Sequence, residues 1–151
     1  MIVVVVLRVR VVVRVRLRVR DHTQPDAGTR RRPYMTDRPL LDHENLDVYR
    51  VSIAFLRLAF DLLAKLPKTQ RELRSQLERA AMSIPLNIAE GAGRATGPDR
   101  ARFHATARGS AMECGAILDV CRVAGYAPEP LLDDGKLMLS RMVAMLTKMC
   151  R

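Results

Sequence analysis

The chain of 151 residues has no tryptophan and only three each of phenylalanine, tyrosine, cysteine and histidine. So few aromatic residues, beside eight methionines, favour packed helices over a β-sheet core. The three cysteines, at positions 114, 121 and 150, include no CxxC pair, which argues against a disulfide framework or a zinc module. No stretch reaches the roughly 18 consecutive apolar residues of a transmembrane helix, because Arg8 interrupts the first run. We therefore expect a cytoplasmic protein without a membrane partner.

Recognisable catalytic motifs are also absent. No Walker loop, GxGxxG or GxSxG is present, so phosphate cradles and nucleophile elbows have no support. Helical di-metal sites require a Glu-x-x-His pair, and no glutamate precedes a histidine by three residues. The histidines, His22, His43 and His104, do not cluster along the chain. The sequence predicts no enzymatic activity, no metal and no cofactor.

Positive charge is abundant but unevenly distributed. The formal net charge is +10, which is typical of proteins that bind nucleic acid or anionic membranes. Residues 1–39 contain ten arginines against three aspartates, whereas residues 40–151 contain 16 basic and 13 acidic residues. About a quarter of the chain therefore carries most of the charge, and the remainder is only mildly basic.

The first 39 residues differ in composition from the rest. Residues 2–20 are ten valines, six arginines and little else, largely in alternation, which is typical of a strand with one apolar and one cationic face. Nothing later alternates in this way, so a partner strand is missing. We expect a disordered leader or a mis-assigned start, with a basic nucleic-acid or membrane arm and true strand pairing as alternatives. Residues 21–39 are linker-like, and Met35 is an alternative start.

From Leu40 onward the apolar residues recur with a helical period. The pattern predicts helices over about 46–66, 69–91, 99–124 and 129–150, with Gly- and Pro-containing breaks between them. Four such helices with short connections predict an all-α, antiparallel up-down-up-down four-helix bundle over residues 40–151, with residues 1–39 outside it. The expected core faces are Leu46, Tyr49, Ile53, Leu56, Phe60 and Leu63; Leu73, Leu77, Ala80, Ala81, Ile84 and Ile88; Phe103, Ala107, Ser110, Cys114, Ile117, Cys121 and Ala124; and Leu139, Met142, Leu146 and Met149.

Polar residues lie beside the apolar stripe of the second helix. We predict a hydrogen-bonded seam in which Asn87 and Glu90 face Ser110 and Glu113 of the third helix, with Arg79 or Arg94 as charge partners. Ser83 belongs to the same polar line. Pro85 lies inside the second helix and predicts a kink near Ala81 to Ile84, because proline removes one backbone hydrogen bond. The seam is interpreted as a register-setting network; acid–base catalysis by its two carboxylates is the weaker alternative.

Basic residues concentrate where the second helix gives way to the third. Arg94, Arg100, Arg102 and Arg108 are offset within this stretch only by Asp99. Such a cluster is able to contact phosphates as point charges, although a solvated helix face is the commoner role of such runs.

Two stretches carry a specific family resemblance: SQLERAAMSIPLNIAEG at residues 75–91 and RFHATARGSAME at residues 102–113. With LDVY at 46–49 and the Gly125-Tyr126 turn, they resemble the 23S rRNA intervening-sequence proteins over residues 46–151. The positions that match the family pattern include Ser83, Pro85, Asn87, Glu90 and Gly91 in the second helix and Ser110 and Glu113 in the third. The loop after Gly91 departs from that pattern, because relatives more often have an aromatic residue and a Ser-Lys run there.

The resemblance implies a four-helix bundle that assembles into a ring-like homopentamer. It also implies kinship with the accessory protein of diversity-generating retroelements, which works with a reverse transcriptase and nucleic acid. We therefore expect a non-enzymatic homo-oligomer that binds RNA or a ribonucleoprotein partner, including one like a reverse transcriptase, through the four arginines. The alternative is a protein–protein assembly module that does not bind nucleic acid.

Overall fold

A computed structural model describes residues 40–150, and the leader predicted at residues 1–39 lies outside the described residues. The described chain forms one short 3-10 turn, Asp42–Asn45, and four α-helices. The helices are α1 (Asp47–Lys65), α2 (Arg71–Ala92), α3 (Gly97–Val123) and α4 (Glu129–Met149). No strand occurs in residues 40–150, which confirms the all-α prediction.

The helix boundaries follow from local chemistry. Leu66 is extended (φ −62°, ψ 139°) because Pro67 follows it, and α1 ends there. The side chain of Thr96 caps α3 by accepting a hydrogen bond from the Asp99 backbone N–H at 3.4 Å. Gly125, with φ of +66°, provides the left-handed residue that terminates α3.

Side-chain contacts establish the order and direction of the helices. Along α3 and α4, Arg108 contacts Thr147 whereas Arg122 contacts Asp133, so the two helices run in opposite directions. Helices that follow one another in the chain pack together, and α1 also packs against α4. This is the predicted arrangement of four helices around one core. None of the helices in the described part of the chain is long and apolar enough to cross a membrane.

The core faces of α2, α3 and α4 largely match the predicted stripes. Leu77, Ile84 and Ile88 on α2 are fully buried, as are Met142 and Leu146 on α4. Cys114 and Cys121 are also buried on α3, as small apolar residues would be. The exceptions on α3 are Phe103 and Ser110, which are only half-buried, and Ala124, which is exposed beyond the helix end.

The predicted core face of α1 is displaced by about a quarter of a turn, although Leu63 is buried as predicted. Ile53 and Phe60 are 43% and 46% exposed, whereas Ser52 and Phe55 are fully buried. The helix carries two stripes, and the core uses the one that contains Val48, Ser52, Phe55, Ala59 and Leu62. Because it contains Ser52 and Ala59, this stripe is less apolar in sequence than the predicted stripe beside it. The hydroxyl of Ser52 is accommodated because Oγ donates to the Tyr49 carbonyl at 2.6 Å.

Pro85 is buried within α2, which continues from Arg71 to Ala92. Because proline has no N–H, the Ala81 carbonyl lacks its usual helical donor. Despite this lost hydrogen bond, α2 continues beyond the proline. The bend expected near Ala81 to Ile84 remains a prediction.

Candidate nucleic-acid interface and polar seam

Three polar side chains form a hydrogen-bonded cluster where α2 packs on α3. Ser110 Oγ donates to Ser83 Oγ across the helix contact at 2.9 Å. Asn87 Nδ2, one turn along α2, donates to Ser83 Oγ at 3.0 Å and to the Ser83 carbonyl at 2.8 Å. All three residues are half-buried, so these bonds satisfy groups that water reaches poorly. Ser83, Asn87 and Ser110 are called the polar seam below.

The two carboxylates predicted to join the seam lie far apart. Glu90 follows Ser83 by seven residues on α2, and Glu113 follows Ser110 by three residues on α3. Ser83 contacts Ser110 whereas Gly91 lies against His104, so α2 and α3 run in opposite directions. These offsets therefore carry the carboxylates apart, to about 15 Å along the bundle axis. Both residues are exposed. The prediction that Glu90 faces Glu113 is therefore wrong, and no acid–base pair forms between them.

Glu90 instead pairs with Arg94 one turn later. The Arg94 guanidinium donates to Glu90 Oε1, and both side chains remain about half exposed, at 43% and 49%. Arg94, rather than Arg79, is thus the charge partner of Glu90. The pairing ties the end of α2 to the turn that follows it.

Two of the four predicted arginines lie over one aromatic ring, and a third bonds to the backbone of one of them. The guanidinium carbon of Arg94 lies 4.7 Å from the centroid of Phe103, and that of Arg102 lies 5.2 Å from it. Such distances are typical of cation–π contacts. Arg100 Nη2 donates to the Arg94 carbonyl at 3.4 Å, which completes the group. Arg94, Arg100 and Arg102 are called the arginine cluster below.

Arg108 lies on a different side of α3. Its Nη1 reaches Thr147 Oγ1 of α4 at 3.5 Å, whereas the arginine cluster lies at the α2 side. Six residues separate Arg108 from Arg102, which places it about 9 Å along the axis and about 240° around the helix. The four arginines predicted as one patch are therefore divided into the arginine cluster and the separate Arg108.

Two neighbours on α3 have roles that the sequence reasoning missed. Phe103 was assigned to the core, yet it is half-buried and provides the ring beneath two arginines. His104 is 1% exposed, with Nδ1 3.4 Å from the Met149 carbonyl of α4. The spacing of His104 with Ala107, Ala111 and Cys114 was the signal that could have placed it on the buried face.

The thiol of Cys114 is not activated as a nucleophile. Burial, and secondarily the nearby charge of Glu113, raises the pKa of its thiol from 9.0 to about 12. Burial also raises the pKa of Cys121. Because the thiolate is the nucleophilic form, neither cysteine is activated for chemistry at neutral pH.

Several surface grooves of the described residues have the volume of ligand sites, and two of them are distinguished by their position. One, of about 430 Å³, lies beside the arginine cluster and is lined by His43, Leu86, Ala89, Glu90, Gly93 and Arg94. The other, of about 390 Å³, lies between α3 and α4 and has a mainly apolar lining. Within residues 40–150, no group of three or more metal-ligating side chains comes together.

Comparison with known proteins identifies one matching family. The model of the family described as 23S rRNA-intervening sequence protein matches residues 44–148, which covers all four helices except the last residue of α4. A comparison with curated proteins found no match. The matched range includes the polar seam, the arginine cluster and every lining residue of the two grooves except His43.

Proposed function

Since the chain belongs to the 23S rRNA-intervening sequence protein family, we propose that it is a non-enzymatic bundle that binds RNA through the arginine cluster. The observation that carries this proposal is the grouping of Arg94 and Arg102 over Phe103, with Arg100 bound to the Arg94 backbone. The ring holds two long side chains at one exposed site, which lowers the entropy that they lose on binding a phosphate. An RNA-bearing ribonucleoprotein would be bound through the same contacts.

The strength of the expected contact is limited by neighbouring acids. Glu90 pairs with Arg94, and Asp99 lies at the start of α3, where it bonds Thr96. Arg100 and Arg102 have no carboxylate partner among the described ion pairs. We therefore expect modest, salt-sensitive binding that depends on a few phosphate contacts.

RNA binding by the full chain as a function of salt tests the proposal. Replacing Arg94, Arg100 and Arg102 by alanine should weaken binding and lower the slope of log K against log salt by about 2–3. A matched control replaces the exposed Arg57, Arg79 and Arg141, which changes the net charge equally on other faces. Equal losses in both triple variants would mean that only the overall charge matters, and the proposal would fail.

Arg108 requires a separate measurement because it lies apart from the cluster. If RNA reaches along α3 toward α4, Arg108→Ala should reduce affinity as much as one cluster arginine does. If the contact is confined to the α2–α3 turn, Arg108→Ala should change the affinity by less than about twofold.

A second candidate function, assembly with other copies, has its own support. Ile53 and Phe60 on α1, with Met82 on α2, leave large apolar side chains exposed. On α3 and α4, Met112, Val123 and Leu137 are 61%, 91% and 72% exposed, and Met112 also lines the 390 Å³ groove. Apolar surface of this kind marks interaction sites. We propose that the chain is a homo-oligomer, with the pentamer implied by its resemblance as the expected state.

A further inference from the structure

The 430 Å³ groove beside the arginine cluster, called the α2 groove below, is lined by both apolar and charged residues. Leu86, Ala89 and Gly93 lie three and four residues apart, so they follow one face of α2 toward its end. Leu86 is 63% exposed although it is a large apolar residue. The volume falls in the range of roughly 300–1,000 Å³ found for small-molecule sites.

An aromatic ring also lines the groove. His43, from the short turn Asp42–Asn45, packs edge-to-face against Tyr49 with ring centroids 4.6 Å apart. This contact holds the imidazole beside α2. A flat ligand in the groove would therefore meet a fixed ring and aliphatic side chains.

One charged residue of the lining connects the groove to the arginine cluster. Arg94 lines the groove and also covers Phe103, while Arg100 bonds its backbone. A ligand that fits both features has a flat, weakly polar body attached to a row of negative charges. An unpaired nucleotide within an RNA strand has this chemistry, since its base is able to stack and its neighbours supply phosphates.

We infer that the α2 groove receives an unpaired nucleobase of an RNA whose phosphates lie against Arg94, Arg100 and Arg102. The inference rests on the RNA binding proposed above and adds a selectivity to it. A fully paired duplex keeps its bases stacked inside, so it satisfies the arginines but leaves the groove empty. RNA with an unpaired loop should therefore bind more tightly than blunt duplex RNA with the same number of phosphates.

Filling the groove without changing charge tests the inference. Gly93 has φ of −80° and ψ of −2°, and a Cβ there would meet only backbone oxygens at 3.7 and 3.9 Å, so Gly93→Leu is sterically allowed. Gly109→Leu is the matched control, because a Cβ at this α3 position meets nothing within 4 Å and lies outside the groove. Ala89→Leu provides a second groove-filling variant, and thermal melting establishes that each variant is folded.

The probes are a hairpin RNA with an unstructured loop and a blunt duplex RNA of equal phosphate number, each titrated with the full chain. We expect Gly93→Leu to weaken hairpin binding about tenfold and duplex binding by less than about twofold, with Gly109→Leu unchanged. If the chain binds both RNAs equally and Gly93→Leu and Ala89→Leu change neither, the groove inference is overturned while RNA binding stands. If the unmodified chain binds neither RNA, both the inference and the proposed function are overturned.

Discussion

Glu90 shows how one carboxylate can set the strength of a basic site. It accepts a hydrogen bond from Arg94, the residue shared by the arginine cluster and the α2 groove. A phosphate that approaches Arg94 must compete with this carboxylate. The side chain that orders Arg94 is therefore also the one that limits its charge.

We predict that Glu90→Gln tightens RNA binding about threefold and steepens the salt dependence by close to one phosphate contact. Glutamine keeps the shape of the side chain and removes its charge. Glu78→Gln is the control, because Glu78 is exposed on the same helix and the net charge changes equally. If both variants gain the same affinity, Glu90 has no specific influence on Arg94.

The polar seam predicts a measurable coupling between Ser83 and Ser110, whose hydroxyls meet across the α2–α3 contact. Each change to alanine should lower the free energy of unfolding by about 1 kcal/mol, because each removes the hydrogen bond between the two hydroxyls. In the double variant the losses should fall short of additivity by about 0.5–1 kcal/mol. Denaturant unfolding measures all of these values. Ser75 is exposed on α2, so the free energy of unfolding of Ser75→Ala should stay within about 0.5 kcal/mol of that of the unmodified chain. Strictly additive losses for Ser83→Ala and Ser110→Ala would show that the two hydroxyls act independently.

Thiol labelling follows from the burial of the cysteines. Cys150 is half-buried, whereas burial and Glu113 raise the pKa of Cys114 to about 12. At pH 8 we expect iodoacetamide to modify Cys150 in the native protein, and Cys114 and Cys121 only after unfolding. Mass spectrometry of the labelled peptides checks this. Rapid native labelling of Cys114 would contradict the buried position of α3's core face.

The raised pKa of Cys114 predicts that the folded chain is less stable at high pH. The unfolded chain ionises Cys114 near 9.0, but the folded chain resists ionisation until about 12. The stability that the folded state derives from a neutral Cys114 is complete below pH 9 and is lost as the pH rises toward 12. Relative to Cys114→Ala, the unmodified chain should therefore lose free energy of unfolding between pH 8 and pH 10.5.

At the scale of the helix, two glycines control how closely neighbouring elements approach. A Cβ on Gly135 of α4 would lie 2.7 Å from Leu118 Cδ2 and 3.2 Å from Leu58 Cδ2. A Cβ on Gly91 would lie 2.9 Å from the ring of His104. Glycine is unfavourable inside a helix, but here its missing side chain allows tight packing. These contacts join α4 to α1 and α3, and α2 to α3.

We predict opposite effects for two glycine-to-alanine changes. Gly135→Ala should lower the free energy of unfolding by about 1–2 kcal/mol, because buried leucines must move to admit the methyl group. Gly109→Ala should raise it by about 0.5–1 kcal/mol, since α3 gains helix propensity and a Cβ there meets nothing within 4 Å. Chemical denaturation of the two variants measures both signs. Stabilisation by Gly135→Ala would mean that the α1–α3–α4 contact is looser than described.

At the scale of the whole molecule, periodicity predicted the helices well but predicted lateral contacts poorly. The four helices and their breaks follow from apolar spacing, Pro67 and Gly125, which act locally. The core face of α1 was mistaken because Ser52 is buried and Phe60 is exposed, and only packing against the neighbouring helices decides between two apolar stripes. The separation of Glu90 from Glu113 likewise depends on the relative direction and depth of two helices, which spacing within one helix does not encode.

The surplus apolar surface leads to a prediction about assembly. Phe60 and Met112 lie on different faces, so contact between the α1–α2 face of one copy and the α3–α4 face of the next would be heterologous and able to close into a ring. Phe60→Glu and Met112→Glu should each convert the oligomer to monomer, whereas the exposed Ser75→Glu should not. Because each disrupted variant keeps the face that the other lacks, mixing them should restore one interface and give a one-to-one dimer. Light scattering coupled to size-exclusion chromatography measures the mass of each species. If the same face of two copies met instead, one of the two variants would remain fully assembled, and mixing the variants would produce no new species.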